Sequence, residues 1–282
     1  MLVNLNEVLL PARKGKYAVG LFNTVNFEMA RGVIAAAEEL RAPVILGTAE
    51  VLLPYAPLEE LSWFLIPMAK KASVPVVVHY DHGLTFDKCM EALKLGFSSV
   101  MYDCSEDSYA ENVRKVRELT RIAHAFGASV EGELGHVGSD EDSPEKIREA
   151  SQCYTDPAQA RQYVEETGVD ALAIAVGTVH GTYRFEPKLD FDRIREIDYL
   201  ADRPLVLHGG SGLSDEAFQN AIACGISKVN IFTDVNRALA EGARLPLGNG
   251  KARGTELFLP QIEAVKQATM RKMKLFGCAG KA

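Results

Sequence analysis

The feature that most constrains the fold of this chain is a regular alternation of short apolar runs with longer amphipathic stretches. The runs are rich in Val, Ile and Leu and show little polar alternation, which is typical of strands buried on both faces of a parallel sheet. Eight strand–helix alternations in 282 residues predict a (β/α)8 TIM barrel, with a doubly wound sheet as the main alternative. The predicted strands are Tyr17–Phe22, Val44–Thr48, Val76–Tyr80, Ser99–Tyr102, Ser129–Glu133, Ala171–Val176, Leu205–His208 and Lys228–Ile231.

Between these runs, periodic apolar patterns predict helices with recognisable start and stop signals. An Asp-Pro pair at 156–157 is a typical helix start, and Gly96, Gly127, Gly168 and Gly225 are typical helix ends. Because no segment has the composition of an interdomain linker, we predict one domain over residues 1–282. The predicted helices include Phe27–Leu40, Leu58–Lys71, Phe86–Leu95, Ser108–Phe126, Pro157–Thr167 and Asp215–Ala223.

Two segments interrupt the alternation. Gly135–Tyr154 follows the fifth strand, contains no apolar run and is too long for an ordinary connection, which predicts a mobile lid. Ala243–Thr255 is rich in Gly, Arg, Lys and Pro and interrupts the final helical region, so we expect a surface excursion or part of a subunit contact there.

Composition argues against several classes of protein. The net charge of −7 argues against a nucleic-acid partner, and any phosphate must be held locally by backbone amides or a few basic groups. The five cysteines are scattered and lack C-x-x-C spacing, which predicts reduced thiols in a cytoplasmic protein. No apolar run is long enough to span a membrane, and the first residues lack the pattern of a signal peptide. We therefore expect a cytoplasmic protein with no membrane partner.

Three histidines close or follow apolar runs, and each is followed by glycine. They are His82 in His79-Tyr-Asp-His-Gly83, His180 in Val176-Gly-Thr-Val-His-Gly181, and His208 in Leu207-His-Gly-Gly-Ser-Gly212. In a parallel barrel such strand ends open onto one face, and three neutral imidazoles around an open position form a catalytic zinc site. The sequence therefore predicts a zinc centre; His79, His124 and His136 are weaker candidates, and His79 is either an orienting group or part of the core.

Two loops have the composition of a phosphate cradle. One runs from His208 to Gly212 after the seventh strand, and the other covers Lys228–Asp234 at the end of the eighth. In phosphate-binding barrels this pair of loops offers backbone N–H groups and small hydroxyls to the anion.

Several carboxylates also lie at strand ends. Asp81 precedes His82 directly, so it is either a general acid/base or a group that orients a histidine. Glu131 and Glu133 share one face of the fifth strand and, with Asp103, either form a secondary cation site or pair with arginines. The run Asp140–Asp142 is either a solvated loop or part of the lid's chemistry.

These motifs, in this order, resemble those of the class II, zinc-dependent ketose-bisphosphate aldolases, which include fructose- and tagatose-bisphosphate aldolases. The resemblance covers nearly the whole chain. It implies reversible cleavage of a ketose 1,6-bisphosphate to dihydroxyacetone phosphate and glyceraldehyde 3-phosphate, by polarisation of a carbonyl and formation of an enediolate. The motifs that carry it are Gly20-Leu-Phe-Asn23, His79-Tyr-Asp-His-Gly83, Gly132-Glu-Leu-Gly135, Tyr154-Thr-Asp-Pro157, Val176-Gly-Thr-Val-His-Gly181, Leu207-His-Gly-Gly-Ser-Gly212, Lys228-Val-Asn-Ile231 and Leu275-Phe-Gly-Cys-Ala-Gly-Lys281.

The resemblance implies a role for particular residues. The positions that match zinc ligands are His82, His180 and His208, and those that match a second metal site in some members are Asp103 and Glu133. Asp81 matches the catalytic acid/base, Glu141 a lid glutamate in proton transfer, and Asn230 a group that hydrogen-bonds the enediolate. The matching substrate-binding positions are Asn23, Gly181, Gly209, Gly210, Ser211, Asn230, Ile231, Phe232 and Thr233. A monovalent cation (Na⁺ or K⁺) near the phosphate and a homodimeric or homotetrameric assembly are further implications.

This chain departs from the family pattern around the sugar's distal half. Ala49 stands where many members have a serine, Phe232 where a small residue is common, and Tyr80 where leucine is usual. Many members of the family have an arginine that binds the second phosphate. The resemblance places that position at Thr255 in this chain, and Arg253 lies two residues away. The alternatives are a zinc aldolase whose aldehyde product lacks phosphate, a non-catalytic helper subunit and a metal-dependent epimerase. The choice between fructose and tagatose stereochemistry stays open.

Overall fold

The computed structural model describes residues 1–137, 154–178, 188–248 and 253–282. Eight parallel strands close into a barrel in sequence order, and the last strand pairs with the first. The prediction of a TIM barrel is therefore confirmed, and the doubly wound alternative is wrong because the sheet has no open edge. The strands are β1 (Val19–Asn23), β2 (Val44–Ala49), β3 (Val76–Gly83), β4 (Ser99–Tyr102), β5 (Ser129–Leu134), β6 (Ala171–Ile174), β7 (Leu205–Leu207) and β8 (Ile226–Ile231).

Helices surround the barrel, and polar caps define their ends. Phe27–Leu40, Leu58–Lys71, Phe86–Leu95 and Pro157–Thr167 have the predicted bounds. The described helices are α1 (Leu5–Gly15), α2 (Phe27–Leu40), α3 (Leu58–Lys71), α4 (Phe86–Leu95), α5 (Tyr109–Ala125), α6 (Pro157–Thr167), α7 (Phe191–Ala201), α8 (Asp215–Cys224), α9 (Thr233–Gly248) and α10 (Phe258–Leu275).

Helix α10 packs closely on α2 and fixes the chain's end against the barrel. The contact is tight at Gly32, where an added Cβ would lie 2.7 Å from Val265 Cγ1 and 2.8 Å from the Ile262 carbonyl oxygen. The backbone amides of Gly280 and Ala282 donate to the carbonyls of Leu40 and Arg41 at the C-terminal end of α2. Within the described residues, no helix is both long and apolar enough to cross a membrane.

The structure differs from the sequence prediction at several strand and helix ends. β3 extends three residues further, so that His82 lies within it, whereas β7 ends one residue before His208. Helix α9 continues to Gly248, so the first half of the interrupting segment is helical rather than an excursion, and a short 3-10 turn covers Gly254–Glu256. The predicted lid falls mostly on residues 138–153, outside the described residues.

Candidate active site

Polar side chains converge at the carboxyl ends of the strands, inside the mouth of the barrel. This is the face on which TIM barrels carry their chemistry, because the loops that follow the strands all meet there. The converging side chains come from six strands or their ends: Asn23 (β1), Asp81 and His82 (β3), Asp103 (after β4), Glu131 and Glu133 (β5), His208 (after β7), and Lys228 and Asn230 (β8).

An irregular backbone at the end of β3 brings two consecutive side chains into this cluster. Neighbours on a regular strand point to opposite faces. Here the register with β4 shifts between Tyr80 and Gly83, and His82 adopts a left-handed conformation with φ of 44°. Such a conformation costs a non-glycine residue roughly 1–3 kcal/mol and concentrates at functional sites. It lets Asp81 and His82 both face the interior, where they form a group with His208 whose candidate ligand atoms lie within 4.8 Å of one another.

His82 is oriented by a carboxylate. Its Nδ1 lies 2.7 Å from Asp103 Oδ2, and Asp103 Oδ1 accepts a hydrogen bond from the Ser105 amide (3.0 Å). Burial disfavours the charged carboxylate, but His82 and these hydrogen bonds hold the pKa of Asp103 below its usual range. The proton on Nδ1 therefore faces Asp103, and the Nε2 lone pair is the one that a metal would take.

His208 is oriented in the same way from the opposite nitrogen. Its Nε2 lies 2.8 Å from Glu131 Oε1, and its Nδ1 lies 3.5 Å from Glu133 Oε2. The ring is fully buried, and its centroid is 4.5 Å from that of His82 at an interplanar angle of 77°. A proton held on Nε2 leaves the Nδ1 lone pair as the donor toward a metal.

The charges of this cluster favour a cation. Burial lowers the pKa of His82, but the surrounding carboxylates, led by Asp81, outweigh it and raise that pKa to about 10. Burial and the charge of Asp103 raise the pKa of Glu133 to about 8. The raised pKa of His82 reflects negative charge around it that also attracts a cation, and two oriented imidazoles beside a carboxylate are a donor set that zinc accepts. The residues present therefore fit a zinc ion.

The structure brings together two of the three predicted zinc ligands. His180 and its neighbour Gly181 lie outside the described residues, as does Glu141. Asp103 and Glu133, predicted as a second metal site, form a group with His82 whose ligand atoms are also within 4.8 Å of one another.

Asp81 lies between two side-chain amides. Asn23 Nδ2 is 3.2 Å from Oδ2, and Asn230 Nδ2 is 3.1 Å from Oδ1 and 3.2 Å from Oδ2. Burial disfavours ionisation, yet the charge of His82, a hydrogen bond to His79 and the charge of Lys228 hold the pKa of Asp81 well below its usual value. The carboxylate is thus ionised, buried and accepts hydrogen bonds from two amides.

A fully buried lysine, which the sequence predicted as the start of the eighth strand but not as a site residue, lies beneath these groups. Lys228 Nζ is 2.7 Å from Glu131 Oε2 and donates to Asn230 Oδ1 at 2.8 Å. Glu131 therefore pairs with a lysine rather than with an arginine. Burial disfavours its charge, but Lys228 and the hydrogen bond from His208 lower its pKa to about 2. The sequence carried one signal for this role of Lys228. Residues two apart on a strand share a face, so Lys228 lies on the same face of β8 as Asn230.

The two predicted phosphate loops are adjacent because β7 pairs with β8. Gly209 and Gly212 have φ of 66° and 97°, which few other residues tolerate. At Gly210 an added Cβ would lie 2.9 Å from Val229 Cγ1 and 3.1 Å from the Asn230 carbonyl oxygen. Ser211 is buried beside them; Ile231 ends β8, Phe232 and Thr233 are half-buried, and Thr233 begins α9, whose N-terminal amides suit an anion.

The remaining candidates lie apart from this cluster or support it. His79 is buried, with Nδ1 2.7 Å from Ser99 Oγ and Nε2 3.6 Å from Asp81 Oδ1, and His124 pairs with Asp170 on the outside of the barrel. Arg253 is exposed, and its backbone amide donates to Glu256 Oε2 (3.0 Å); in the described parts of the chain its side chain makes no ion pair.

Comparisons with known proteins identify the family of the chain. The model of the family "Fructose-bisphosphate aldolase class-II" matches residues 3–281. The fructose-bisphosphate aldolases of Geobacillus stearothermophilus and Staphylococcus aureus are 40% and 39% identical, over 100% of this chain and 99% of theirs. The crystal structure of the YdjI aldolase from Escherichia coli K12 superposes with a TM-score of 0.90 at 37% identity, over 100% of both chains. The chain therefore belongs to the class-II fructose-bisphosphate aldolase family, a family of zinc-dependent aldehyde-lyases.

Proposed function

We propose that the protein is a zinc-dependent aldolase that reversibly cleaves a ketose 1,6-bisphosphate, of fructose or tagatose stereochemistry, to dihydroxyacetone phosphate and glyceraldehyde 3-phosphate. The observation that carries the proposal is the placement of Asp81. This ionised carboxylate lies between the amides of Asn23 and Asn230 and beside two histidines oriented for a metal. Family membership and the names of the relatives support the assignment.

His82, His208 and His180 would hold the zinc. When bound, zinc acts as a Lewis acid that polarises the substrate's carbonyl oxygen. Neutral imidazoles suit this role because they leave the ion's positive charge undiminished. Asp103 and Glu131 hold the two described rings in the required tautomers.

Asp81 moves the proton in the proposed reaction. Cleavage removes a proton from the C4 hydroxyl of the sugar, and Asp81 accepts it because it is held ionised. The bond between C3 and C4 then breaks, and negative charge develops on the dihydroxyacetone half. Asn230, whose amide N–H group already faces Asp81, is placed to donate to that charge, as an oxyanion-hole group does.

The loops after β7 and β8 hold the phosphate of the dihydroxyacetone half. Gly209, Gly210 and Ser211 offer backbone amides and a hydroxyl, and the start of α9 adds further N–H groups. In the same proposal Ile231, Phe232 and Thr233 contact the substrate, Gly181 joins them from the loop after β6, and a Na⁺ or K⁺ ion lies near the phosphate.

Several finer assignments belong to this proposal. Asp103 and Glu133 can hold a second metal, which the grouping of their oxygens with His82 supports. Glu141 transfers a proton from the predicted lid, Gly135–Tyr154, and Arg253 reaches the distal phosphate. We further propose one catalytic domain over residues 1–282 in the cytoplasm, assembled as a homodimer or homotetramer.

The assay is cleavage coupled to reduction of dihydroxyacetone phosphate, run with the zinc-loaded and the chelated protein. We expect activity on fructose or tagatose 1,6-bisphosphate, loss on chelation and recovery with zinc. His180→Ala is expected to lose activity, with His124→Ala as the control because His124 lies on the outside of the barrel. Activity that survives chelation, or a His180→Ala variant that turns over normally, contradicts the zinc mechanism.

A substrate panel addresses the distal half of the sugar. Thr255 stands where the resemblance implies an arginine, so the proposed contact of Arg253 with the second phosphate is tested against the alternative in which the aldehyde lacks phosphate. Fructose and tagatose 1,6-bisphosphates are compared with ketose 1-phosphates. A higher kcat/KM for the 1-phosphates selects the alternative, and a higher value for a bisphosphate selects the main proposal.

A further inference from the structure

Lys228 is unusual among the described residues because it is a fully buried lysine whose charge the proposed reaction does not use. It lies on β8 with an accessible fraction of 0%. An unpaired buried charge is very costly, and here two acceptors lie close to the amine, Glu131 Oε2 at 2.7 Å and Asn230 Oδ1 at 2.8 Å. Glu131 supplies the countercharge, so the contact to Asn230 calls for a separate explanation.

The chemistry of an ammonium group gives that explanation. An ammonium group has three N–H donors and no acceptor, whereas a carboxamide has one accepting and one donating end. The amide of Asn230 can therefore meet Lys228 only through its oxygen. That orientation points Nδ2 toward Asp81, at 3.1 and 3.2 Å from its two oxygens, and Asp81 in turn can accept but cannot donate.

We propose that Lys228 is a positioning residue, which fixes the amide of Asn230 so that its N–H donors face Asp81 and the enediolate. The proposal rests on the role of Asn230 in the proposed function. A freely rotating amide would present its oxygen to the developing negative charge in part of the molecules, and such a rotamer repels that charge instead of stabilising it. A donor that is fixed before the reaction stabilises charge without reorganisation.

Glu131 completes the arrangement from the other side of the barrel. Its Oε2 holds Lys228, and its Oε1 lies 2.8 Å from His208 Nε2. One buried carboxylate thereby links the amine that orients Asn230 to the imidazole that would bind zinc. β5 and β8 are not neighbours in the sheet, so this link spans the barrel interior.

The test is a double-mutant cycle between Lys228→Met and Asn230→Ala, measured as kcat on the best substrate. Methionine keeps the length of the lysine side chain and removes its donors. Removal of an oxyanion-hole donor costs about 10²–10³ in kcat, and we expect Lys228→Met alone to cost roughly 10–100-fold, with KM changed much less. In the Asn230→Ala background the same change is expected to cost under about threefold, because the group it positions is gone. Equal costs in both backgrounds overturn the proposal.

Two controls separate positioning from damage to the fold. Lys266→Met removes a lysine that pairs with Glu39 on the outside of the barrel, and it is expected to leave kcat unchanged. Lys228→Met leaves Glu131 buried without its countercharge, so the cycle is repeated in Glu131→Gln, which removes that charge. The coupling between Lys228 and Asn230 is expected to persist there, and its disappearance counts against the proposal.

A spectroscopic measurement tests the orientation without any turnover. The side-chain NH2 signals of Asn230, assigned by their loss in Asn230→Ala, report the hydrogen bonds that this group donates. We expect both signals to shift and to exchange faster with solvent in Lys228→Met, but not in Lys266→Met. An unchanged signal in Lys228→Met overturns the positioning role. If the Asn230 signals change in Lys228→Met as expected but the wild-type protein cleaves no sugar, the proposed function is contradicted and the positioning of the Asn230 amide by Lys228 is not.

Discussion

Gly47 on β2 offers a steric route to disturb the catalytic carboxylate without touching it. The residue pairs in register with Asn23 on β1, and both face the barrel interior. A Cβ added at Gly47 would lie 2.8 Å from Asn23 Oδ1 and 2.7 Å from Leu21 Cδ2. Both distances are shorter than real Cβ atoms adopt, so Asn23 must move, and the hydrogen bond that it donates to Asp81 at 3.2 Å lengthens or breaks.

The expected size of the effect follows from two separate costs. Forcing a methyl group into a packed interior destabilises a protein by about 1–3 kcal/mol. A hydrogen bond to a charged group contributes about 1.5–3 kcal/mol. If the bond to Asp81 is lost in the transition state, the lower end of that range corresponds to about a tenfold fall in kcat/KM. We therefore expect Gly47→Ala to fold with a lower melting temperature and to lose at least about tenfold in kcat/KM.

The matched control is Gly20→Ala on β1, which has the same steric cost without a contact to the site. Its added Cβ would lie 2.6 Å from Phe22 Cε2 and 3.4 Å from Phe276 Cε2, on the helix-facing side of the strand. Both variants are compared by thermal unfolding and by steady-state kinetics with zinc in excess. The reasoning is refuted if Gly47→Ala keeps wild-type kcat/KM, or if the two variants lose activity equally.

Three further substitutions test other parts of the site. Asp81→Asn is expected to lower kcat by about 10²–10⁴, because the general base is gone and the new amide group faces the donors of Asn230; the pre-steady-state rate of cleavage reports it. Asp103→Ala is expected to weaken zinc binding by about 10–100-fold, since nothing then holds the His82 tautomer; competition with a chelating dye measures this, and an unchanged affinity argues against the role. Tyr163→Phe removes the hydroxyl that donates to Asn112 Oδ1 at 2.7 Å, and is expected to cost about 1–3 kcal/mol of stability with kcat retained.

The strands and helices were predictable from sequence because a parallel barrel buries both faces of every strand. Every residue of β1 and β2 is buried, so each of these strands is an apolar run with few polar interruptions. Helix bounds were equally clear where a polar side chain caps the first turn, as Asn26 does for α2 and Asp156 for α6. These signals depend on residues that are close together in the chain, so they can be recognised in a single sequence.

The site was predictable only in part, because its geometry depends on contacts across the barrel. The pattern that predicted β3 ended at Tyr80, since Asp81 and His82 are polar, and nothing in the residue types indicated the left-handed turn at His82. The residue types left Glu131 either a secondary cation site or an arginine partner, and the structure pairs it with Lys228 from a strand that is not its neighbour in the sheet. Such a pair forms because the barrel closes and its strands align in a particular register, and neither feature can be predicted from one sequence.

An excess of buried carboxylates over fixed cations makes a prediction about the metal itself. The described cluster holds four carboxylates but only one lysine, Lys228; the carboxylates are Asp81, Asp103, Glu131 and Glu133. Without zinc, protons take up part of this charge, and the pKa values of His82 and Glu133 accordingly rise to about 10 and about 8. Zinc must displace the proton that this pKa places on His82, so its affinity is expected to fall steadily as the pH drops below about 10.

Because zinc completes this charge balance only in the folded state, it should also stabilise the fold. At a free concentration of about 100 times Kd, a ligand specific to the native state contributes about 2.7 kcal/mol. For a chain of this size we expect the melting temperature to rise by roughly 5–10 °C on loading. Thermal unfolding of the chelated and reloaded protein measures this, and calorimetry in buffers of different ionisation enthalpy counts the protons released. The His82→Ala variant, which removes a ligand, should show a much smaller rise. A rise of equal size in that variant would place the stabilising ion elsewhere in the protein.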